Sequence, residues 1–144
     1  MSDSRVTLLA GDVGYGVLDA AFKAYPERCF NMGAAEQTMI GAAVGMSYEG
    51  KIPICYTITP FLLYRPFEWL RNYVEIEGTP LKLVGVGRDR DYGALGYTHW
   101  CDDQNAVLDA LPSIRAYFPD SVDALDSIWP LFLLSGAAYL NLRR

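Results

Sequence analysis

Residues 30–58 read FNMGAAEQTMIGAAVGMSYEGKIPICYTI. From Met32 to Met46 every residue is small or apolar except Glu36, Gln37 and Thr38. With no proline before Pro53, this composition predicts a helix over 35–49. The group EGKIP then marks a turn, and IPICYTI at 52–58 is a short apolar run of the kind found in fully buried strands. A helix delivered through a tight turn into a buried strand is the repeating unit of a parallel sheet, whose strands need crossover connections.

The rest of the chain repeats that alternation. Further buried strands are predicted at VTLLA (6–10), KLVGVG (82–87), IRAYF (114–118) and AYLNL (138–142), with a brief one at RCF (28–30). Helices are predicted at 16–25, roughly 64–77, 102–111 and 121–135, the last capped by Asp120 or Ser121. No internal repeat or linker interrupts the pattern. The expectation is one α/β domain over residues 1–144, a three-layer α/β/α arrangement with a mostly parallel sheet. The methionine start and the end just after a final strand fit a natural short chain better than a fragment of a longer enzyme.

Composition narrows the function. The 144 residues carry 12 basic and 17 acidic side chains, a net charge of −5, with the basic residues scattered. This argues against nucleic acid and anionic membranes as partners. No basic segment precedes a long apolar one at the start, and no run is long enough to span a bilayer. Three widely spaced cysteines, Cys29, Cys55 and Cys101, suit reduced thiols in a cytoplasm. One histidine, His99, excludes a histidine-rich metal site, and no metal ligands are assigned.

In parallel sheets, ligands gather at the carboxyl ends of the strands. The chemically unusual segments all fall there: GDVGYG, NMGAAEQ, TPFLLYRPF and GRDRDYGALGYTHW. Glu36 admits two readings, a solvated first-turn glutamate favoured by the helix dipole, or a desolvated carboxylate that shares a proton near neutrality. The small residues around it make the helix able to approach another backbone closely, and composition leaves the two readings open. Phe61, Tyr64 and Phe67 recur every third residue; Pro66 argues for a loop feeding a helix from near Arg65, with the aromatics ringing its entrance. There they could sandwich a flat heterocycle rather than merely line a core. His99 sits in a glycine-rich loop that could present its imidazole. GDVGYG matches neither nucleotide-binding glycine motif.

Taken together, GDVGYGVLD, the run CFNMGAAEQTMIGAAVGMSYEGKIPICYTITPFLLYRPFEWLRN and LKLVGVGRDRDYGALGYTH resemble the central, pyrimidine-binding domain of the transketolase family. The likeness runs from about Leu9 to Leu142, and the GxAEQ-x-MIGxAxGxxxEGKIP run is highly specific. The resemblance implies the thiamine-diphosphate-binding fold and that cofactor. It places Glu36 on the glutamate that hydrogen-bonds the aminopyrimidine ring and so favours the tautomer able to accept a proton. It places Phe61, Tyr64 and Phe67 around that ring, His99 near the reacting atoms and the substrate hydroxyls, and Asp12 close to the cofactor pocket.

Two departures stand out. An aspartate that recognises a donor hydroxyl in typical transketolases is Leu95 here, and a second family histidine is Gly87. Both changes remove polar contacts to a hydroxylated donor. The family's diphosphate motif, GDG with a later asparagine, is also not supplied by this sequence, nor is the C-terminal domain. The resemblance therefore implies half of an active site, completed by a separate diphosphate-binding subunit that holds Mg2+, in a heterodimer or α2β2 heterotetramer. The helix over 35–47 is a candidate interface. Such an assembly would transfer a two-carbon ketol or acyl unit between sugar phosphates or keto acids. The alternative is a non-catalytic structural or regulatory subunit that keeps the fold.

Overall fold

The structure, a computed structural model, describes residues 3–144. Six strands run along these residues: β1 (Val6–Ala10), β2 (Cys29–Asn31), β3 (Ile52–Ile58), β4 (Lys82–Val86), β5 (Arg115–Tyr117) and β6 (Ala138–Leu142). They form one sheet in the order β2-β1-β3-β4-β6-β5, and every pairing is parallel. All six strands predicted from the sequence are present, each shifted at its ends by no more than a residue.

Register explains the layering. Leu9, Cys55, Leu83 and Tyr139 stand side by side across four strands. Their face is covered by α2 (Glu36–Tyr48), α3 (Thr59–Leu63) and the residues around α5 (Gln104–Asp109). The adjacent row of Leu8, Ile54, Lys82 and Ala138 faces the other way, towards α1 (Asp19–Ala24) and α6 (Val122–Leu134). Burial on both faces accounts for strands that are apolar throughout rather than alternating. The outcome is the three-layer α/β/α domain expected.

Helix α2 buries Glu36, Met39, Ile40, Ala43 and Val44, one stripe at helical spacing. Its outer face carries Thr38, Ala42 and Gly45 in place of charged residues, so the sequence shows no obvious polar side. Gly41 is tied to packing within the chain: a Cβ there would lie 3.2 Å from the ring of Trp69.

The segment 59–77 departs from expectation. Instead of a loop feeding one helix from near Arg65, a helix starts directly at the strand end as α3, with Pro60 in its first turn. Pro66, which lacks an N–H, interrupts it. A short α4 (Phe67–Trp69) then runs into π-helical turns over Leu70–Ile76, closed by Glu77 N–H donating to the Asn72 carbonyl at 3.2 Å. At α6 the cap is Ser121, whose Oγ accepts from the Ala124 N–H at 3.1 Å; Asp120 instead pairs with Arg88. Among the described residues, no helix is long and apolar enough to cross a membrane.

The strand order places the site. From β1 the chain moves outward to β2, and from β3 it moves the opposite way to β4. Loops leaving the carboxyl ends of β1 and β3 therefore diverge and open a crevice between them, the usual ligand position in such sheets.

Candidate active site

Glu36 is the first residue of α2 and is 3% exposed. Gly11, just after β1, passes close by: a Cβ there would come within 2.8 Å of Thr57 Oγ1, while Glu36 Oε1 would stand at an ordinary contact distance of 3.7 Å, so it is the packing on Thr57 that requires glycine. Both carboxylate oxygens accept from a single nitrogen, Arg65 Nη1, at 2.9 Å each. A buried carboxylate without a partner is costly, and this ion pair offsets that cost.

Arg65 lies on the irregular turn between α3 and α4. Its guanidinium stacks 3.7 Å above the Phe61 ring centroid, and Phe61 meets His99 edge-on at 5.0 Å. Glu36, Arg65, Phe61 and His99 therefore form one continuous group. His99 ends a short 3-10 turn, Tyr97–His99, and its Nδ1 lies 3.0 Å from Thr98 Oγ1. An open hollow of about 560 Å³ borders this group, lined by Glu36, Arg65 and the start of α2.

The other two aromatics point elsewhere. Tyr64 and Phe67 line an apolar hollow of about 460 Å³ against α5, with Ala106, Val107 and Ala110. The Tyr64 hydroxyl donates to Asp103 Oδ1 at 2.5 Å. Burial first, and the Asp103 carboxylate second, raise its pKa far above the tyrosine range. Of the three aromatics at three-residue spacing, Tyr64 and Phe67 thus line this hollow while Phe61 packs against Arg65 and His99, so they do not form one ring of contacts.

Asp12 follows β1 in a left-handed conformation, φ 55°. It accepts from the Tyr15 hydroxyl at 2.7 Å and from Asn31 Nδ2 at 3.1 Å, and these bonds hold its carboxyl below the usual range. Its contacts join it to Tyr15 and Asn31 and not to the Glu36 group.

Gly87 and Leu95 take unlike positions. Leu95 is exposed at the end of a 3-10 turn. Gly87 has φ +85°, and a Cβ there would lie 2.3 Å from Tyr92 Cε2. The Tyr92 ring fills the space a side chain at 87 would enter, and it stands 6.1 Å from the His99 ring.

Beneath the crevice lies a buried polar hub that sequence reasoning missed. Asn141 Nδ2 donates to Thr59 Oγ1 at 2.8 Å and to the Tyr139 hydroxyl at 2.9 Å. The Thr59 hydroxyl donates to the Gly87 carbonyl at 2.7 Å, and that of Tyr139 to Gln104 Oε1 at 2.9 Å. Arg88 closes the hub by donating to Asn141 Oδ1 at 2.8 Å. Each hydroxyl both accepts and donates, so the loops after β3 and β4 are held rigidly. The one hint in the sequence is an asparagine inside the apolar strand AYLNL.

The site is thus a buried, ion-paired glutamate at the switch-point crevice of a parallel α/β sheet. The family is shown directly: residues 1–138 match the transketolase pyrimidine-binding domain, and the chain belongs to that family. An apulose-4-phosphate transketolase subunit of Actinobacillus succinogenes is 30% identical over 116 residues, covering 81% of this chain and 37% of that protein. A putative transketolase C-terminal section of Methanocaldococcus jannaschii is 30% identical over 142 residues, 97% of this chain and 45% of that one. Among solved structures, a split-gene transketolase described as an inactive beta4 tetramer superposes with TM-score 0.84 at 28% identity, over 99% of this chain and 46% of its own. The chain thus spans less than half the length of these relatives.

Proposed function

We propose that this chain is the pyrimidine-binding part of a split, transketolase-like, thiamine-diphosphate-dependent enzyme, completed by a separate diphosphate-binding chain. The observation that carries the proposal is the seat between Glu36 and Phe61. A flat, N–H-bearing group already rests there: the Arg65 guanidinium, bonded to the carboxylate and stacked on the ring. An aminopyrimidine protonated on its ring nitrogen is likewise flat and presents an N–H to the acid, so the residues present fit it. Relatives named as a transketolase subunit and as a split-gene transketolase support the same reading.

In this role Glu36 accepts a hydrogen bond from the ring and holds the shared proton away from water, which its burial permits. Phe61 supports one face of the ring. Tyr64 and Phe67 form the neighbouring apolar wall, and Asp12 borders the crevice from the β1 side. His99, in edge contact with Phe61, orients substrate or carries a proton at the open side. Bound thiamine diphosphate supplies the electron sink for breaking and making a carbon–carbon bond.

The partner would hold the diphosphate and its magnesium, in a heterodimer or a heterotetramer of two copies of each chain. Buried, unpaired thiols fit a reducing cytoplasm. Transfer of a two-carbon ketol or acyl unit is the proposed reaction. The Tyr92 ring packed against Gly87 favours a donor other than the ordinary ketose phosphate over a purely structural role, because the wall beside His99 is reshaped and not left open.

The test is co-expression with a diphosphate-domain chain and measurement of thiamine-diphosphate-dependent turnover. Glu36→Ala should lower kcat by at least ~100-fold, the usual scale for a lost proton-transfer partner. Unchanged turnover in that variant removes the mechanism. Failure of the assembled complex to bind the cofactor would instead support the structural-subunit alternative.

A further inference from the structure

We infer that Arg65 is a displaceable occupant of the ring seat, so that cofactor entry at this site is gated by exchange of one flat donor for another. The inference rests on the reading of Glu36 given above.

Three features separate this arrangement from an ordinary ion pair. First, the partners are asymmetric: the Glu36 side chain is 2% exposed while that of Arg65 is 45% exposed. The carboxylate cannot leave, but the guanidinium can rotate into water without opening the core. Second, the Arg65 backbone is anchored, because its carbonyl accepts from Gln37 Nε2 at 3.2 Å. Release then requires side-chain rotation alone, with α2 and the turn before α4 left in place. Third, neutralising Glu36 does not require stacking, yet the guanidinium lies 3.7 Å above Phe61. Stacking and donation together satisfy both the apolar face and the acid, as an aminopyrimidine would.

The exchange has a chemical logic. With both Glu36 oxygens accepting from Arg65 Nη1 and the guanidinium lying on Phe61, the space a ring would need is filled. The ring must replace the arginine, not add to it. In the empty chain the arginine keeps a buried acid satisfied. On entry of the ring a proton taken from solvent is shared between Glu36 and the ring nitrogen, which keeps the acid satisfied as the cation is released at the mouth of the crevice. A flat ring whose nitrogen cannot share that proton does not complete the exchange, so Arg65 also selects against it.

A competitor inside the seat lowers apparent affinity by the fraction of molecules in which the seat is open. If the arginine-closed form dominates by about ten to one, its removal tightens binding about tenfold. The experiment titrates the chain, co-assembled with a diphosphate-domain chain, with thiamine, following the pyrimidine methyl and the Arg65 Nε–H signals by NMR. In the wild type, the Arg65 signal should move in step with ring binding. Arg65→Ala, and Arg65→Gln as a milder variant that leaves one amide donor for Glu36, should bind thiamine about tenfold more tightly. Adding Glu36→Gln to Arg65→Gln should abolish the gain. Saturation with thiamine while the Arg65 signal stays fixed, or folded Arg65 variants binding no tighter than wild type, overturns the gate. If Glu36→Gln still weakens binding in that case, the role of the glutamate stands. If Glu36→Gln binds as well as wild type, or thiamine binds none of the proteins, both readings fall.

Discussion

At the scale of single residues, the site is governed by what each side chain must leave room for. Arg65 supplies the hydrogen bonds of the buried Glu36, and beside it Gly11 leaves room for Thr57 that any side chain would take. Gly87 is a second such position, since Tyr92 occupies the volume that any side chain would need. Gly87→Ala combines overpacking with a left-handed backbone angle. It should lower unfolding free energy in a denaturant titration by ~2–4 kcal/mol. In a double-mutant cycle with Tyr92→Ala the two changes should couple by at least ~1 kcal/mol, because removing the ring relieves the clash but not the backbone strain. A neutral Gly87→Ala would show that Tyr92 does not wall this side of the crevice. The glutamate was legible in the sequence, because small residues crowd around one acid, but composition left its burial open and only the family resemblance favoured it. Its arginine was not: Arg65 lies 29 positions away, and no local pattern announces a contact across the fold.

At the scale of elements, strands were easier to read than helices, for a physical reason. Buried parallel strands are short apolar runs bounded by turn residues, and all six announce themselves that way. The stretch 59–77 does not, because its single chain segment changes winding twice. A proline in a first turn, a proline that interrupts, and wide π-helical turns leave no constant spacing to detect. Lys82 was equally hidden, inside KLVGV. It begins β4, is almost fully buried, and directs its ammonium at the carbonyls of Ser135 and Gly136 just past the end of α6. It thereby caps a helix end from a neighbouring strand. Burial lowers its pKa from 10.5 to about 8. The unfolded chain keeps this proton to higher pH than the folded one, so the contribution of Lys82 to stability is lowest and flat below pH 8 and rises above it. Relative to Lys82→Met, the wild type should gain roughly 1 kcal/mol per pH unit between about pH 8 and 10. Taking the difference between the two proteins cancels the titration of cysteines and tyrosines, and a pH-independent difference would show that Lys82 is solvated.

At the scale of the molecule, the three thiols sample three different regions. Cys55 lies in the core under α2, Cys29 in the core under α1 and α6, and Cys101 against the Gly87 carbonyl in the loops of the site. All are unpaired and buried. Burial raises each of them, Cys55 to about 12 and Cys101 to about 11. Because thiolate is the reacting species, a disulfide reagent at pH 8 should label none of them within minutes in the native protein, and all three at once in denaturant. Intermediate labelling of Cys101 alone would report opening of the site loops ahead of the core. Fast native labelling of Cys55 would contradict the packing described. The buried hub around Asn141 belongs to this scale as well, because it unites the start of α3, the turn after β4, β6 and α5, and only the assembled fold reveals it.

Both outermost strands of the sheet, β2 and β5, are only three residues long. Another polypeptide annealing to either border would find a handful of unsatisfied amides and carbonyls, too few to form a lasting seam. Any partner of the kind proposed would therefore have to dock by surface complementarity across the helices and the crevice rim. A single chain of this kind is accordingly poorly suited to runaway stacking into fibres.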